Sequence, residues 1–509
     1  MSTAEVALHA RKRIRQFRDT RIQPAQAGPD LGSPGAFPRL PGPQRAPDSL
    51  KTALRERVEQ ILEGSWRAFG YLELKVDDPP KWHFDYLAGM DVSNSASAFR
   101  LNHRELPAGA DIKLIWELSR WYELVRLAQA AYLFEDRRSA QKCLIWLDDW
   151  LQINPPYRGW NWTSALESGL RLIQFCWIDA LLDSGAATES EKGRLARLRS
   201  QILPAHVRYT WRYRSFGSSA NNHLLGELTG LILAVARWPA LAGRATSLSS
   251  LQSLWEREVL AQFAPDGGNR EQALNYQLFA LEFCLQSGAA LQSAGRSISA
   301  EVLQRISQAA KFYLHLQVPD DPWDFGDSDN AFVTPFFARE NQAIPEWHLW
   351  LAEPAKSSAI QYWLGPSTNQ LTRCSPPLEQ DNLWRHFEDS GYSVAKQGQW
   401  RLRLDWSPLG YLETAAHGHL DALHVSLWWR GVAFLIDPGT GAYYADPPLR
   451  AWLASREAHN GPALLPWPGP YRLGSFLWSA QHARPQLVQS GQTGVSASLS
   501  LHNCELRRE

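Results

Sequence analysis

Cysteine is scarce in this 509-residue sequence. The five present (Cys143, Cys176, Cys284, Cys374 and Cys504) are scattered, odd in number and without any CxxC spacing. Neither a disulfide framework nor a cysteine zinc site is indicated. Three fall within helical patterns, where a thiol serves as a small buried hydrophobe. No apolar run approaches the length needed to span a bilayer. The start, MSTAEVALHARKRIRQF, carries charges but no apolar region behind them, so it is not recognisable as a signal peptide. On sequence alone the chain is expected in the cytoplasm. Net charge is also missing: Lys+Arg and Asp+Glu are 52 each. Nothing global then draws the chain to nucleic acid or an anionic membrane, although a local basic cleft is compatible with zero net charge.

What the chain does have is length, enough for two to four domains at ~100–200 residues each, and a hydrophobic content of 44% to build their cores. It also has 24 tryptophans. Most tryptophans line cores, but a surplus also suits a groove that stacks sugar rings, because indole offers a flat apolar face and a donor.

Residues 22–48 are dense in proline and glycine, which excludes a helix there and marks residues 1–49 as an arm, extended or disordered. From about 50 to 365 the period is helical. Leu114, Leu118, Trp121, Val125, Ala128 and Tyr132 step by four and three along one face. Leu166, Leu170, Ile173, Trp177 and Ala180 repeat the pattern, as do Leu224, Leu228, Leu231 and Val235. Breaks such as Asn154-Pro155-Pro156 and Pro265-Asp266-Gly267-Gly268 separate the helices into stacked pairs.

After a linker at 366–384 the period becomes two. Trp400, Leu402, Leu404 and Trp406 alternate with polar residues, and Arg430-Gly431 between two apolar runs reads as a tight hairpin. Helices first and strands afterwards predict an all-α domain over 50–365 and an antiparallel β domain over 385–509. The latter is short for a sandwich, so the natural protein is expected to continue beyond Glu509.

Four clusters carry chemistry. Asn221, Asn222 and His223, after Ser218 and Ser219, sit where a helix begins. Amides and an imidazole beside positive backbone dipoles suit a carboxylate, although taken alone the cluster is better explained as an ordinary N-cap with a surface histidine. Asp266-Gly267-Gly268 leads to Gln272 and, one helical turn on, Tyr276. That phenol is a base or acid only if neighbours lower its ordinary value of ~10; alone it reads as a core tyrosine. His417 and His419 would share a face in an extended segment. Asp437-Pro438-Gly439-Thr440-Gly441 and His459-Asn460 complete the set. Two histidines and an aspartate from separate segments can hold zinc, but no local spacing marks such a site. Asp324, Asp327 and Asp329 leave room for a two-carboxylate glycosidase, or for a loop that these residues merely order.

In this order, with Asp111-Ile112-Lys113, Trp116, Asn161-Trp162, Glu167 and Arg171 ahead of them, the motifs resemble the heparinase II/III-like polysaccharide lyases over about residues 65–475. The resemblance implies an (α/α) toroid, an incomplete barrel of helix pairs, followed by an antiparallel β-sandwich. It implies β-elimination on an acidic, uronate-containing glycan such as a glycosaminoglycan or alginate, by a bacterial protein of the periplasm or cell envelope, monomeric or homodimeric. Catalysis would fall to Asn222 and His223 on the substrate carboxylate, Tyr276 as proton carrier and His417 as the second group. Trp162, Glu167, Arg171, Asn221, Gln272 and Tyr444 would contact substrate. Structural Zn²⁺ would sit on His419, Asp437 and His459.

Overall fold

The computed structural model describes residues 3–21, 28, 30–107, 109–185, 188–217, 220–318, 320–354, 356, 358–368, 371, 384–441, 443–491, 494–501 and 504–509. Most of the 366–384 linker, Cys374, Ser218 and Ser219 lie outside them.

Helices dominate the first part: α1 (Thr3–Asp19), α2 (Asp48–Leu62), α3 (Ile112–Ser119), α4 (Tyr122–Phe134), α5 (Arg137–Ile153), α6 (Ala165–Asp183), α7 (Glu189–Tyr213), α8 (Asn222–Arg237), α9 (Leu248–Gln262), α10 (Leu274–Ser293) and α11 (Ala300–Leu316). Three short helices follow, α12 (Ala343–Ala352), α13 (Ala359–Trp363) and α14 (Gly365–Thr368). An inner row, α4, α6, α8 and α10, packs side by side, and α5, α7, α9 and α11 cover it from outside. Position in the toroid explains the composition: α6, α8 and α10 are buried over almost their whole length, and so carry apolar residues on every side, with buried polar groups such as Glu167, Glu227 and Glu282 between them. Gly169 of α6 meets Gly230 of α8 so closely that a Cβ on Gly230 would lie 2.4 Å from the Gly169 carbonyl oxygen. Side-chain caps fix the starts, Asp111 on α3 and Ser164 on α6 among them.

Two departures from the expected pattern stand out. Helix α1 occupies part of the stretch read as an arm, and Asp19 at its end pairs with Arg212 and Tyr213 of α7. Further on the arm is extended, tied by Gly35 and Ala36 N–H groups to the last carbonyls of α8. Short hairpins also interrupt the helical part, β1 (Ser65–Ala68) with β2 (Leu72–Lys75) and β3 (Phe84–Asp85) with β4 (Met90–Asp91).

The second part is a sandwich. Strands β5 (Trp384–Phe387), β6 (Tyr392–Gln397), β7 (Trp400–Asp405), β8 (Val425–Trp429) and β9 (Val432–Leu435) form one antiparallel sheet in chain order. Strands β10 (Gln486–Ser490), β11 (Val495–Leu501) and β12 (Cys504–Arg508) form a second. Between them lie Leu404, Trp406 and Leu423 against Ala497, Leu499 and Leu501. Arg430 and Gly431 both take positive φ, 52° and 78°, as a two-residue hairpin between β8 and β9 requires. One helix, α15 (Pro447–Leu453), sits among the sandwich loops. No helix among the described residues is long and apolar enough to cross a membrane.

Candidate active site

The seam between toroid and sandwich gathers the motifs. His417 lies in a turn of the long loop between β7 and β8, not in an extended segment. Its φ is 60°, and the neighbouring Gly418 is pressed so close to Leu409 that a Cβ would meet that residue's carbonyl oxygen. His417 and His419 therefore do not share a face. His417 turns to the toroid, where its Nδ1 is 2.8 Å from Asp327 Oδ2. Asp327 also accepts a hydrogen bond from Arg450 of α15, and Thr440 Oγ1 donates to its other oxygen at 3.1 Å. Burial opposes the charge on this carboxylate, but Arg450 and His417 outweigh it and hold Asp327 well below the usual range. With Asp327 ionised, the His417 Nδ1–H donates to it. In the neutral ring Nε2 then carries the lone pair.

Tyr276, near the start of α10, puts its ring 5.5 Å from that of His417, edge to face, with its hydroxyl 3.1 Å from the Tyr443 hydroxyl. Gln272 is not one helical turn before it. That residue has φ 57° and precedes the helix, with its buried Oε1 lacking a hydrogen-bond partner. Burial, then the charge of Asp329, pushes the Tyr276 phenol well above its ordinary value. The lowering that would make it a resting base is absent, so the phenol keeps its proton, and the only role left to it is that of a donor to a strongly basic leaving oxygen.

His223 completes the cluster. Burial first, then the charges of His417 and Lys113, pushes its ring down to about 3. It is a neutral hydrogen-bonding group and supplies no positive charge. Asn222 does not present its amide hydrogens to a ligand either: Nδ2 is 2.9 Å from both Glu271 oxygens, and its backbone N–H donates to the same carboxylate. Asn221 caps α8 by accepting from the His223 N–H.

Three expected substrate contacts are core residues instead. Trp162 and Arg171 are fully buried and Glu167 nearly so. Glu167 is held by a two-pronged bridge from Arg120 at 2.8 and 2.9 Å, and Arg171 bonds His206 Nε2 and the Asn161 carbonyl. Each of these polar groups is held by partners from the protein itself, Trp162 by the Asn154 carbonyl, and of them Arg171 keeps one buried nitrogen, Nη1, without a hydrogen-bond partner. Tyr444 is half-buried between His103 and Phe476, and its N–H faces Asp111.

Residues to which the sequence gave no role fill the site. Lys113 of α3 bridges Asp329 at 2.5 Å and lies 4.1 Å from the centre of the Tyr443 ring. Lys113 and Tyr443 also line a cleft of about 980 Å³ along the seam. Lys113 stood in a quoted motif, whereas Arg450 carried no local signal.

On the sandwich side, donor atoms of His419, Asp437 and His459 all lie within 4.8 Å of one another, and all three residues are buried. His459 Nδ1–H donates to the Ser455 carbonyl at 2.7 Å, which leaves Nε2 facing Asp437 Oδ2 at 3.4 Å. Burial pulls the His459 ring down, but Asp437 outweighs it and raises it to about 9. His419 Nδ1 is buried without a hydrogen-bond partner. Oriented imidazoles, a carboxylate and an unsatisfied nitrogen are a donor set that fits a divalent ion.

Family profiles agree with this layout. The heparinase II/III N-terminus matches residues 82–343 and the heparinase II/III-like C-terminal part matches residues 380–462. The chain belongs to the heparinase II/III-like family. A heparinase III crystal structure aligns over 97% of this chain and 72% of its own, at TM-score 0.57 and 14% identity. The heparan sulfate lyase of Pedobacter heparinus aligns over 99% and 71%, at TM-score 0.50 and 16% identity. Another heparinase III aligns over 91% and 70%, at 0.53 and 17%. At such identities the likeness is one of fold. A search of curated proteins gave no match.

Proposed function

We propose that this member of the family is a polysaccharide lyase, cleaving a uronate-containing glycan by β-elimination. The observation that carries this reading is the meeting of His417, from the sandwich, with Tyr276 and Asp327, from the toroid, on one seam. A base and an acid a ring's width apart suit the removal of one proton and the delivery of another.

His417 Nε2 takes the proton from C5 of the uronate. The C5–H electrons form the C4=C5 bond, the C4–O4 bond breaks, and the Tyr276 phenol protonates the departing O4. C5 beside an ionised carboxylate is a very weak acid, because abstraction builds a dianion. Donors aimed at that carboxylate lower the barrier by favouring the enolate-like transition state. Lys113 and the Tyr443 hydroxyl have the chemistry for this, with His223 as a neutral donor. Asp327 keeps the His417 proton on Nδ1, as a positioning group.

His419, Asp437 and His459 would hold Zn²⁺. When bound, the ion would brace the loops that carry His417 and Tyr443, a structural role. A two-carboxylate glycosidase is disfavoured: Asp327 and Asp329 are both held in their charged forms beside cations, and Asp324, which burial raises to about 6, is taken up by the Asn275 and Phe325 N–H groups and the Ser328 hydroxyl. Incubation with unsulfated and sulfated uronate polymers tests the reading. Elimination leaves a double bond conjugated to the carboxylate, so products must absorb in the ultraviolet; saturated products would refute it.

A further inference from the structure

Helix α1 meets the body of the protein with its polar side and turns an apolar side to solvent. Toward the body, Asp19 is buried against Arg212 and Tyr213 of α7, and Arg15 donates to the Arg212 carbonyl at 2.7 Å. Lys12 and Gln16, both half-buried, lie on the same side, and Lys12 is near enough to Glu227 of α8 for their charges to attract. On the opposite side, at helical spacing, stand Ala10, Ile14 and Phe17, all exposed, the last two by 59% and 77%. A helix resting on a core ordinarily buries its apolar stripe and leaves its charges in water. Here the arrangement is reversed, and covering Ile14 and Phe17 would be favourable. Helix α1 also lies ahead of the residues matched by the family profiles, which begin at 82.

Charge is concentrated on the same helix. Thr3 to Arg21 hold six Lys and Arg against Glu5 and Asp19, in a chain whose total charge is zero. Arg11, Arg13 and Arg18 are exposed and flank the apolar stripe, and exposed Arg208 of α7 acts on the Asp19 charge from alongside. This combination discriminates among the occupants that could cover the stripe. A second copy would set one cationic stripe against another, which repels. An acidic glycan has the charge to suit the arginines, but Ala10 and Ile14 offer its hydroxyls no partner. Phospholipid supplies both parts: acyl chains for Ile14 and Phe17, and phosphates for guanidinium groups whose stems lie along the apolar stripe.

We propose that α1 is a membrane-docking helix, which lays Ala10, Ile14 and Phe17 into the surface of an anionic phospholipid bilayer. The helix would lie in the interface without crossing it, in keeping with the lack of any spanning helix among the described residues. Neither the metal cluster nor the Tyr276–His417 pair takes part, so the proposal stands apart from the lyase reading.

Co-sedimentation of the full chain with lipid vesicles is the test. Vesicles of phosphatidylglycerol and phosphatidylcholine should bind the protein at least ~tenfold more tightly than phosphatidylcholine alone, and added salt should narrow the difference. Phe17→Glu and Ile14→Glu should each weaken binding ~tenfold or more, with the melting temperature unchanged because both side chains are exposed. Arg11→Gln and Arg18→Gln should each weaken it ~fivefold, on the anionic vesicles alone. Light scattering and titration with a soluble uronate polymer read the other two occupants. Vesicle binding that Phe17→Glu removes supports the proposal. No binding to anionic vesicles, or binding indifferent to Phe17→Glu, overturns it. A dimer or a uronate-polymer complex that Phe17→Glu dissolves would assign the stripe to that occupant and overturn it likewise.

Discussion

His417 Nδ1 and Asp327 Oδ2 lie 2.8 Å apart although one belongs to the sandwich and the other to the toroid. The pair sets the histidine tautomer and ties the two domains together. Asp327→Asn keeps the shape but turns an NH₂ or a carbonyl toward a ring that needs a carboxylate. Turnover should fall ~10²–10⁴-fold with KM little changed, as expected when a base loses its correct tautomer. Steady-state kinetics check this, and unchanged kcat would remove Asp327 from its positioning role.

Tyr276→Phe removes one hydroxyl from a buried ring, and with it the 3.1 Å contact to the Tyr443 hydroxyl. The melting temperature should move by no more than a few degrees. Ultraviolet-monitored turnover should drop by ~10²-fold or more if the phenol is the proton donor. Full activity in this variant would leave the mechanism without its acid.

Removing the metal should loosen the seam. Elemental analysis is expected to find close to one zinc per chain, and dialysis against a chelator should lower the melting temperature. Ligand binding at a hundredfold excess over Kd contributes ~2.7 kcal/mol, enough for several degrees. His419→Ala should melt like the stripped protein and fail to respond to added zinc. A metal-free preparation indifferent to chelator would refute the site.

Glu167→Ala tests the corrected position of a residue expected at the substrate. Its loss leaves Arg120 buried without its main counter-charge, which costs ~3–5 kcal/mol. Denaturant unfolding should show that destabilisation, with KM for any cleaved glycan unchanged in the fraction that remains folded. A raised KM with normal stability would return Glu167 to the binding surface.

Glu227 links stability to pH. It is buried in α8, where it accepts from the Ser215 N–H and hydroxyl, and burial pushes its carboxyl up to about 7. A folded-state value raised above the unfolded one means the protonated form favours folding. That contribution is complete below the unfolded value and disappears as pH rises through about 7. Between pH 5 and 8 the wild type should lose stability relative to Glu227→Gln, by at most ~1.4 kcal/mol per pH unit. Parallel melting curves for the two proteins across this range would contradict the assignment.

Local pattern alone specified much of this protein. The change from a helical period to a period of two placed helices before the linker and most strands after it, because side-chain direction depends only on neighbours a few residues away. Arg430-Gly431 marked its hairpin for the same reason, and the order of motifs marked the family. Tertiary packing decided which polar residues reach the seam. Glu167 and Arg171 share a helix face with core leucines, and only the closing of the toroid shows that this face meets Arg120 and His206 instead of a groove. Asn222 and Glu271 are 49 residues apart and His417 and Asp327 are 90 apart. No periodicity spans such distances: the first pair exists because α8 and α10 pack side by side in the toroid, and the second because the two domains, each built from local rules, pack their loops against one another.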